Sequence, residues 1–378
     1  MKRFLTMGIL LLVGLGMAQT CAGLPRLSLT TAQGYCVGIV SDKLNFPRGV
    51  LGLENGDLLV VEMGGWNPNQ GALTRLRKQG NRWVRQRIFT GLDRPNGLTL
   101  GPDGKVYVGE VGRIFRFDPA QPVKEYVIRD LPGKGRHPLT QMVFDKNGDL
   151  FVNVGSGSDN CQQDKKKAVC AEAQTQGLIR KYTFRDGKVT GWSVYAKGLR
   201  NSMALAVHPS GTILQGENSR DAINAADPKL DDATLPHDEL NVLARGAHYG
   251  WPYCYDNQVN APEFPRFDCA QTQKPLVLLP AHAAPLGMTY WLTGPPAYRG
   301  WLVVGYHGYR PTGHRLVALP VDARGIPSDR PVELIQNWVF PGGKPGAPVD
   351  LKPGPNGTLL ITDDRNGMLL MFGSSQTR

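Results

Sequence analysis

Apolar residues in this chain gather in short runs that follow a tight turn, and nowhere do they keep up the 3.6-residue spacing of an amphipathic helix. The pattern recurs as LENGDLLVVE from Leu53, GPDGKVYVGE from Gly101, FDKNGDLFVNV from Phe144, HPSGTILQGE from His208 and GPNGTLLITDD from Gly354. Each predicts a hairpin turn feeding a strand, because Asn-Gly and Asp-Gly tolerate the positive φ such turns require. Register is kept between copies. The sixth residue after the turn glycine is a carboxylate at Glu62, Glu110, Glu217 and Asp363, and is Val154 in the third copy. A further unit without that turn fits at 297–325, where two strand-like runs flank a polar loop. Six unequal units of this kind predict an all-β, six-bladed β-propeller rather than a sandwich, which has no reason to repeat one hairpin at the same place in every unit.

Equal offsets in different blades should fall at equivalent places around a central channel. Eleven residues before the turn glycine stand Asn45, Asp93, His137, Arg200 and Gly346, followed by Phe46, Arg94, Pro138, Asn201 and Ala347. These positions lead into the inner strands at one mouth of the channel, where the loops converge. An imidazole, His137, and a permanent cation, Arg200 with Asn201 beside it, thus stand in neighbouring blades and can face one bound molecule. Either residue alone is equally well read as a loop residue bonded to its own backbone; their coincidence favours a site.

Composition narrows the class. With 46 Gly, 29 Pro, 41% hydrophobic and 20% charged residues in 378, the chain is neither disordered, collagen-like nor a multi-span membrane protein. No linker divides it, so one domain over 19–378 is expected. Ahead of it, Lys2 and Arg3 precede the uncharged stretch 4–17, and Gly16 and Ala18 offer a cleavage site. This reads as an export signal over 1–18. The stretch is short for a membrane anchor, which needs about 20 apolar residues. Six cysteines fall into the local pairs Cys21 with Cys36, Cys161 with Cys170 and Cys254 with Cys269, and lack zinc-site spacing. Disulfides in an oxidising compartment are expected, although six cysteines allow fifteen connectivities.

The series GLRN from Gly198, GENSRD from Gly216, PHDELN from Pro236 and HYGWP from His248 resembles the soluble pyrroloquinoline quinone-dependent sugar dehydrogenases, including the aldose and sorbosone branches. HPLTQMVFDKNGDLFVNVGSGSDN from His137 and AHAAPLG from Ala281 resemble the same family, and the likeness runs from about Phe46 to Phe372. It implies a quinone cofactor and calcium on one face of the propeller, with oxidation of a sugar's anomeric hydroxyl to a lactone. His137 is then the general base, and an imidazole suits that work because its ordinary pKa of about 6.5 lies near operating pH. Arg200 and Asn201 hold the cofactor, with Arg200 also steadying charge on a quinone oxygen. Arg310 in GYHGYRPTGH is a second partner for a carboxylate. The cofactor-linked calcium maps onto main-chain oxygens of Ser219 and Arg220.

The chain departs from the glucose-oxidising members in two places. ENSR replaces their glycine-proline form at the calcium segment, and GAPVDLKPGPNG lacks their paired arginines. The likeness is therefore nearer the sorbosone branch. Asp238 and Glu239 are expected to be salt-bridged or capping residues, with a structural calcium near them as the alternative. Trp66, Trp251 and Trp291 are read as inter-blade packing, with stacking on a quinone or pyranose as the alternative. Lys165, Lys166 and Lys167 read as a solvated charge run. The net charge of +11 comes without aromatic-basic interleaving or a reader motif, which argues against a nucleic-acid partner. No CxxCH haem attachment is present, so electrons would pass to an external acceptor from a monomer or homodimer. Two other functions suit the same architecture: a calcium-dependent sugar lactonase, suggested by RPNGLTLGPDG from Arg94, and a non-catalytic binding propeller.

Overall fold

The computed structural model describes residues 20–80, 82–161, 169–340 and 344–375; the expected export signal and Lys165 to Lys167 lie outside them. Six antiparallel sheets follow one another along the chain. Blade 1 is Pro47–Gly52, Leu58–Glu62, Gly71–Gln79 and Arg82–Leu92. Blade 2 is Leu98–Leu100, Val106–Glu110, Arg113–Phe117 and Glu125–Ile128, and blade 3 is Met142–Phe144, Leu150–Val154, Leu178–Arg185 and Lys188–Lys197. Blade 4 comprises Ala204–Val207, Ile213–Glu217, Asp238–Val242 and Val277–Leu279. Blade 5 comprises Pro285–Tyr290, Leu302–Tyr306, Arg315–Leu319 and Val332–Gln336, with Thr30–Thr31 added at its outer edge. Blade 6 takes Pro348–Pro353, Leu359–Asp363 and Met368–Ser374 from the end of the chain and Tyr35–Ser41 from its beginning. The early strand closes the ring. The hairpin Thr20–Cys21 and Leu24–Leu27 extends it outward. The expected six-bladed propeller is the fold, and the unit at 297–325 supplies the two middle strands of blade 5.

The repeated turn joins the first and second strands of its blade. Gly56 has φ 84°, its N–H donates to Leu53 O at 2.9 Å, and Asn55 Oδ1 accepts from Asp57 N at 3.0 Å. A residue with a Cβ would resist that φ. The carboxylate after the second strand accepts a main-chain N–H from the segment that leads into the first. Glu62 takes Asn45 N at 2.7 Å, Glu110 takes Asp93 N at 2.7 Å and Glu217 takes Asn201 N at 2.8 Å. Strand pairing cannot satisfy these donors at the mouth, so the repeat satisfies them with a side chain.

Apolar side chains pack between blades. Leu59 and Val61 of blade 1 meet Val106, Val108 and Phe115 of blade 2, and Trp291 and Trp338 are fully buried where blades 5 and 6 join. At the axis, Met63, Val111, Leu139, Met203, Leu286 and Val349, one from each blade, form an apolar plug. Inner strands come close enough to bond across blades, as Gly49 N does to Asn96 O at 3.0 Å, where a Cβ on Gly49 would stand 2.6 Å from that oxygen. All three local cysteine pairs are disulfides, Cys21–Cys36, Cys161–Cys170 and Cys254–Cys269. Among the described residues no helix is long and apolar enough to cross a membrane.

Candidate active site

Above the axial plug lies an open cavity of about 510 Å³, with Met63, Leu139, Met203 and Leu286 as its floor. His137, Arg200, Asn201, Ser219 and Arg310 all line it. Five arginines, at 48, 136, 200, 310 and 365, face three aspartates, at 221, 238 and 364, so the lining is cationic.

His137 departs from the repeat for a reason that its blade makes plain. Val154 stands where other blades carry the carboxylate, so the His137 N–H goes to Ser156 O at 3.1 Å. The ring Nδ1 lies 2.8 Å from Ser156 Oγ, and that hydroxyl donates its one proton to Ser158 O at 2.6 Å. Ser156 Oγ can therefore only accept from the ring, which makes Nδ1 the protonated nitrogen and leaves the lone pair on Nε2. Gly155 makes room: a Cβ there would stand 2.3 Å from His137 O. Burial lowers the His137 pKa to about 3, and the guanidinium groups of Arg200 and Arg136 add to the shift.

Arg200 is tied to the same loop, since its carbonyl accepts from Ser156 N at 2.8 Å. Its buried guanidinium donates to Asp159 Oδ1 from Nε at 2.8 Å, to Asn218 O at 2.9 Å and to Asp221 Oδ2 at 3.2 Å. Asp221 also lies 3.5 Å from Nδ1 of His282, whose Nε2 is 2.7 Å from Asp232 O. The interaction with Asp221 raises the His282 pKa, and the His282 bond holds the Asp221 carboxyl below the usual range despite its burial. Arg310 pairs with Asp232 and donates to its carbonyl at 2.7 Å.

The opposite wall comes from blades 5, 6 and 1. His307 Nε2 lies 3.0 Å from Asp364 Oδ1, and Arg48 Nη1 meets Asp364 Oδ2 at 2.6 Å. Arg48 also donates to Asn96 Oδ1 at 2.8 Å, and all three members of the triad are buried. Burial works against ionisation of Asp364, yet His307 and Arg48 together hold its carboxyl below the usual range. Exposed aromatic rings ring the mouth here: Phe46 and Trp66 from blade 1, and Tyr309, over which Arg365 stacks at 4.2 Å.

Glu239 and Trp66 depart from expectation. The Ser219 N–H donates to Asp238 Oδ1 at 2.8 Å and its hydroxyl to His237 O at 2.6 Å, so its side chain braces the loop. Arg220 does not line the large cavity; its guanidinium turns to Glu263, 2.6 Å away, beside a smaller pocket of about 30 Å³. Asp238 is a capping residue as expected, accepting from the N–H groups of Ser219 and Ala284 at 2.8 and 2.6 Å, whereas Glu239 accepts from Asn241 Nδ2 at 3.1 Å and, among the described residues, neither pairs nor caps. Burial raises Asp238 to about 6, Glu217 to about 7 and Glu239 well above its ordinary value. Trp291 is core, and Trp251 packs inside with its Nε1 donating to Asp159 O at 2.9 Å, whereas Trp66 is 59% exposed at the mouth. Sequence reasoning passed over Arg48, His282, His307, Asp364 and Arg365. Three of these sat in quoted motifs: His282 in AHAAPLG, His307 in GYHGYRPTGH three residues before the arginine singled out, and Asp364 at the end of GPNGTLLITDD.

A family model described as TrAA12-like matches residues 29–268. An uncharacterized protein of Borreliella burgdorferi is 24% identical over 89% of this chain and 88% of its own length. A gluconolactonase of Zymomonas mobilis is 26% identical over 56% of this chain and 60% of its own. A pyrroloquinoline quinone-dependent pyranose dehydrogenase of Coprinopsis cinerea is 25% identical over 80% of this chain, which spans about half that relative's length, 46%. Among solved structures, the holo form of the quinone domain of pyranose dehydrogenase from Coprinopsis cinerea superposes with a TM-score of 0.72 at 20% identity, over 94% of this chain and 99% of that one. The quinone-bound aldose sugar dehydrogenase of Streptomyces coelicolor gives 0.63 at 20% identity, over 91% and 99%. At these identities the structures share the fold.

Proposed function

The chain belongs to the TrAA12-like family, and on that premise we propose that it is a pyrroloquinoline quinone-dependent oxidoreductase that oxidises the anomeric hydroxyl of an aldose-type sugar. The observation that carries this reading is the lone-pair nitrogen of His137 in the same cationic cavity as Arg200. The lining suits a flat, acidic cofactor: an apolar floor of methionine and leucine below, and five arginines around. Arg200, Asn201 and Arg310 would hold the cofactor's carboxylates. Ser219 and Arg220 would offer main-chain oxygens to calcium; among the described residues no group of three or more His, Cys, Asp or Glu side chains is arranged to hold a metal. When bound, the quinone supplies the hydride acceptor, and calcium supplies a Lewis acid beside it.

The rest is the work of this chain. His137 Nε2 takes the proton of the sugar hydroxyl, and the bond from Nδ1–H to Ser156 Oγ fixes the ring for it. Burial, aided by the positive charge of Arg200 and Arg136, keeps the ring neutral at ordinary pH; negative charge set against those guanidiniums raises its basicity. Electrons leave to an external acceptor. Three disulfides support an exported protein working in the periplasm or outside the cell.

Reconstitution tests the reading. Quinone and calcium added to purified protein should change the absorbance spectrum and switch on dye reduction with a panel of aldoses; no spectral change at saturating cofactor would remove it. The gluconolactonase relative favours a second reading, hydrolysis of a sugar lactone. Lactone hydrolysis without any electron acceptor would decide for that alternative.

A further inference from the structure

We propose that Phe46 and Trp66 form an outer sugar subsite at the cavity mouth, so that the preferred substrates carry more than one pyranose ring. The inference deepens the sugar-oxidising reading and rests on it for the identity of the ligand.

Both rings line the cavity yet face water, Trp66 at 59% and Phe46 at 40% exposure. Neither contributes to an apolar core cluster. Phe46 is also held at φ 53°, in the left-handed region where a bulky side chain is an outlier. Arg94, at the same offset of blade 2, has φ 42°, so the repeat dictates this backbone, and such strain persists only where the surroundings over-determine it. Here they do. Asn45 N is held by Glu62 at 2.7 Å, Met63 N donates to Phe46 O at 2.8 Å, and Gly64 N donates to Asn45 O at 3.1 Å. The segment bearing Phe46 and the loop bearing Trp66 are thus one bonded unit. That loop folds back on itself so closely that a Cβ on Gly64, at φ 77°, would stand 2.2 Å from Gln70 O. The main chain that carries the two exposed rings is therefore held at the mouth, which limits the backbone freedom lost when a ligand settles on them.

A pyranose has an apolar C–H face and a hydroxyl edge, and an aromatic platform above a polar cavity complements both. Blade 1 stands across a ring of six from blade 4. A sugar ring beside His137 and Arg200 consequently leaves the platform to the next ring of a longer saccharide.

Calorimetry with glucose, maltotriose and cellotriose, on the full chain with and without the quinone, tests this. At least one trisaccharide should bind about five- to tenfold more tightly than glucose. Trp66→Ala should erase that preference, Trp66→Tyr should keep most of it, and Trp192→Ala, on the outer strand of blade 3, should leave it intact. Phe46→Gly should raise the melting temperature by relieving the left-handed φ while weakening trisaccharide binding, which keeps the test independent of any folding defect. Equal affinity for one ring and three in both forms, or a preference untouched by Trp66→Ala, overturns the subsite. Quinone reconstitution followed by glucose oxidation would still stand in that case, and trisaccharide binding through Trp66 without any quinone response would instead separate the subsite from the oxidoreductase reading.

Discussion

Of the three imidazoles that line the cavity, His137 and His307 stand on opposite walls and are kept in opposite ways. His307 leans on a carboxylate, Asp364, which is itself clamped by Arg48. His137 bonds a serine hydroxyl instead, with guanidinium groups beside it that outweigh the more modest pull of Asp221. A histidine bound to an aspartate is an oriented, electrostatically settled part of the wall. One that is buried and flanked by positive charge stays neutral with its lone pair unspent, and gains basicity when negative charge enters the cavity. On the proposed function, the contrast makes His137 the candidate proton acceptor and His307 a brace.

The sharpest way to break that contrast is to remove each ring in turn. His137→Ala should lower turnover of the reconstituted enzyme by about 10²- to 10⁴-fold with cofactor binding retained, whereas His307→Ala should cost under about tenfold; equal losses in steady-state kinetics would abolish the distinction. Next in size, Asp364→Asn leaves Arg48 buried without its counter-charge and should destabilise the fold by about 3–5 kcal/mol in denaturant melts, so a melt within about 0.5 kcal/mol of the parent would show that the triad carries little.

A third test uses protons alone. In the ligand-free protein the His137 ring should titrate at about 3 by NMR, and because burial is the main cause Arg136→Ala should move the midpoint up only part of the way; a midpoint already near 6.5 in the parent would mean that neither burial nor the arginines govern it. Because the folded state holds this pKa below the unfolded one, His137 favours the fold above pH 6.5 and loses that contribution as pH falls toward 3. Glu217 has the opposite sign: raised to about 7, it contributes fully below its ordinary 4.5 and loses the contribution as pH rises through 7. Glu217→Gln should therefore flatten the fall in melting temperature between pH 5 and 8, and an unchanged slope would assign that fall elsewhere. The smallest expected effect is that of Ser156→Ala, which loosens the His137 ring at a cost of about 0.5–1.5 kcal/mol, read as a few-fold drop in kcat with KM little changed.

The propeller was legible because its turn chemistry repeats in five places, and a one-residue slip in any copy would have turned its apolar face outward. Closure of blade 6 by Tyr35–Ser41 was not legible, since that pairing joins the two ends of the chain and leaves no local signature. The meaning of the repeating carboxylate was also hidden: its partner is a main-chain N–H some sixteen or seventeen residues earlier, which no side-chain pattern announces. Equal offsets did bring His137, Arg200 and Asn201 to one cavity, because they lie where every blade turns toward the axis. Arg48 escaped because it sits within the irregular start of an inner strand, where the register shifts between Pro47 and Val50 and alternation no longer tells inside from outside. His307 and Asp364 escaped because each gains meaning only from the other, 57 residues away.

The bond between the first and last strands sets an order of events for the living cell. Until Met368–Ser374 has been made and has found Tyr35–Ser41, the sixth blade is open and the wall that unites Arg48 with Asp364 does not exist. A ligand gripped by all sides of the bowl can then be captured only after synthesis is finished.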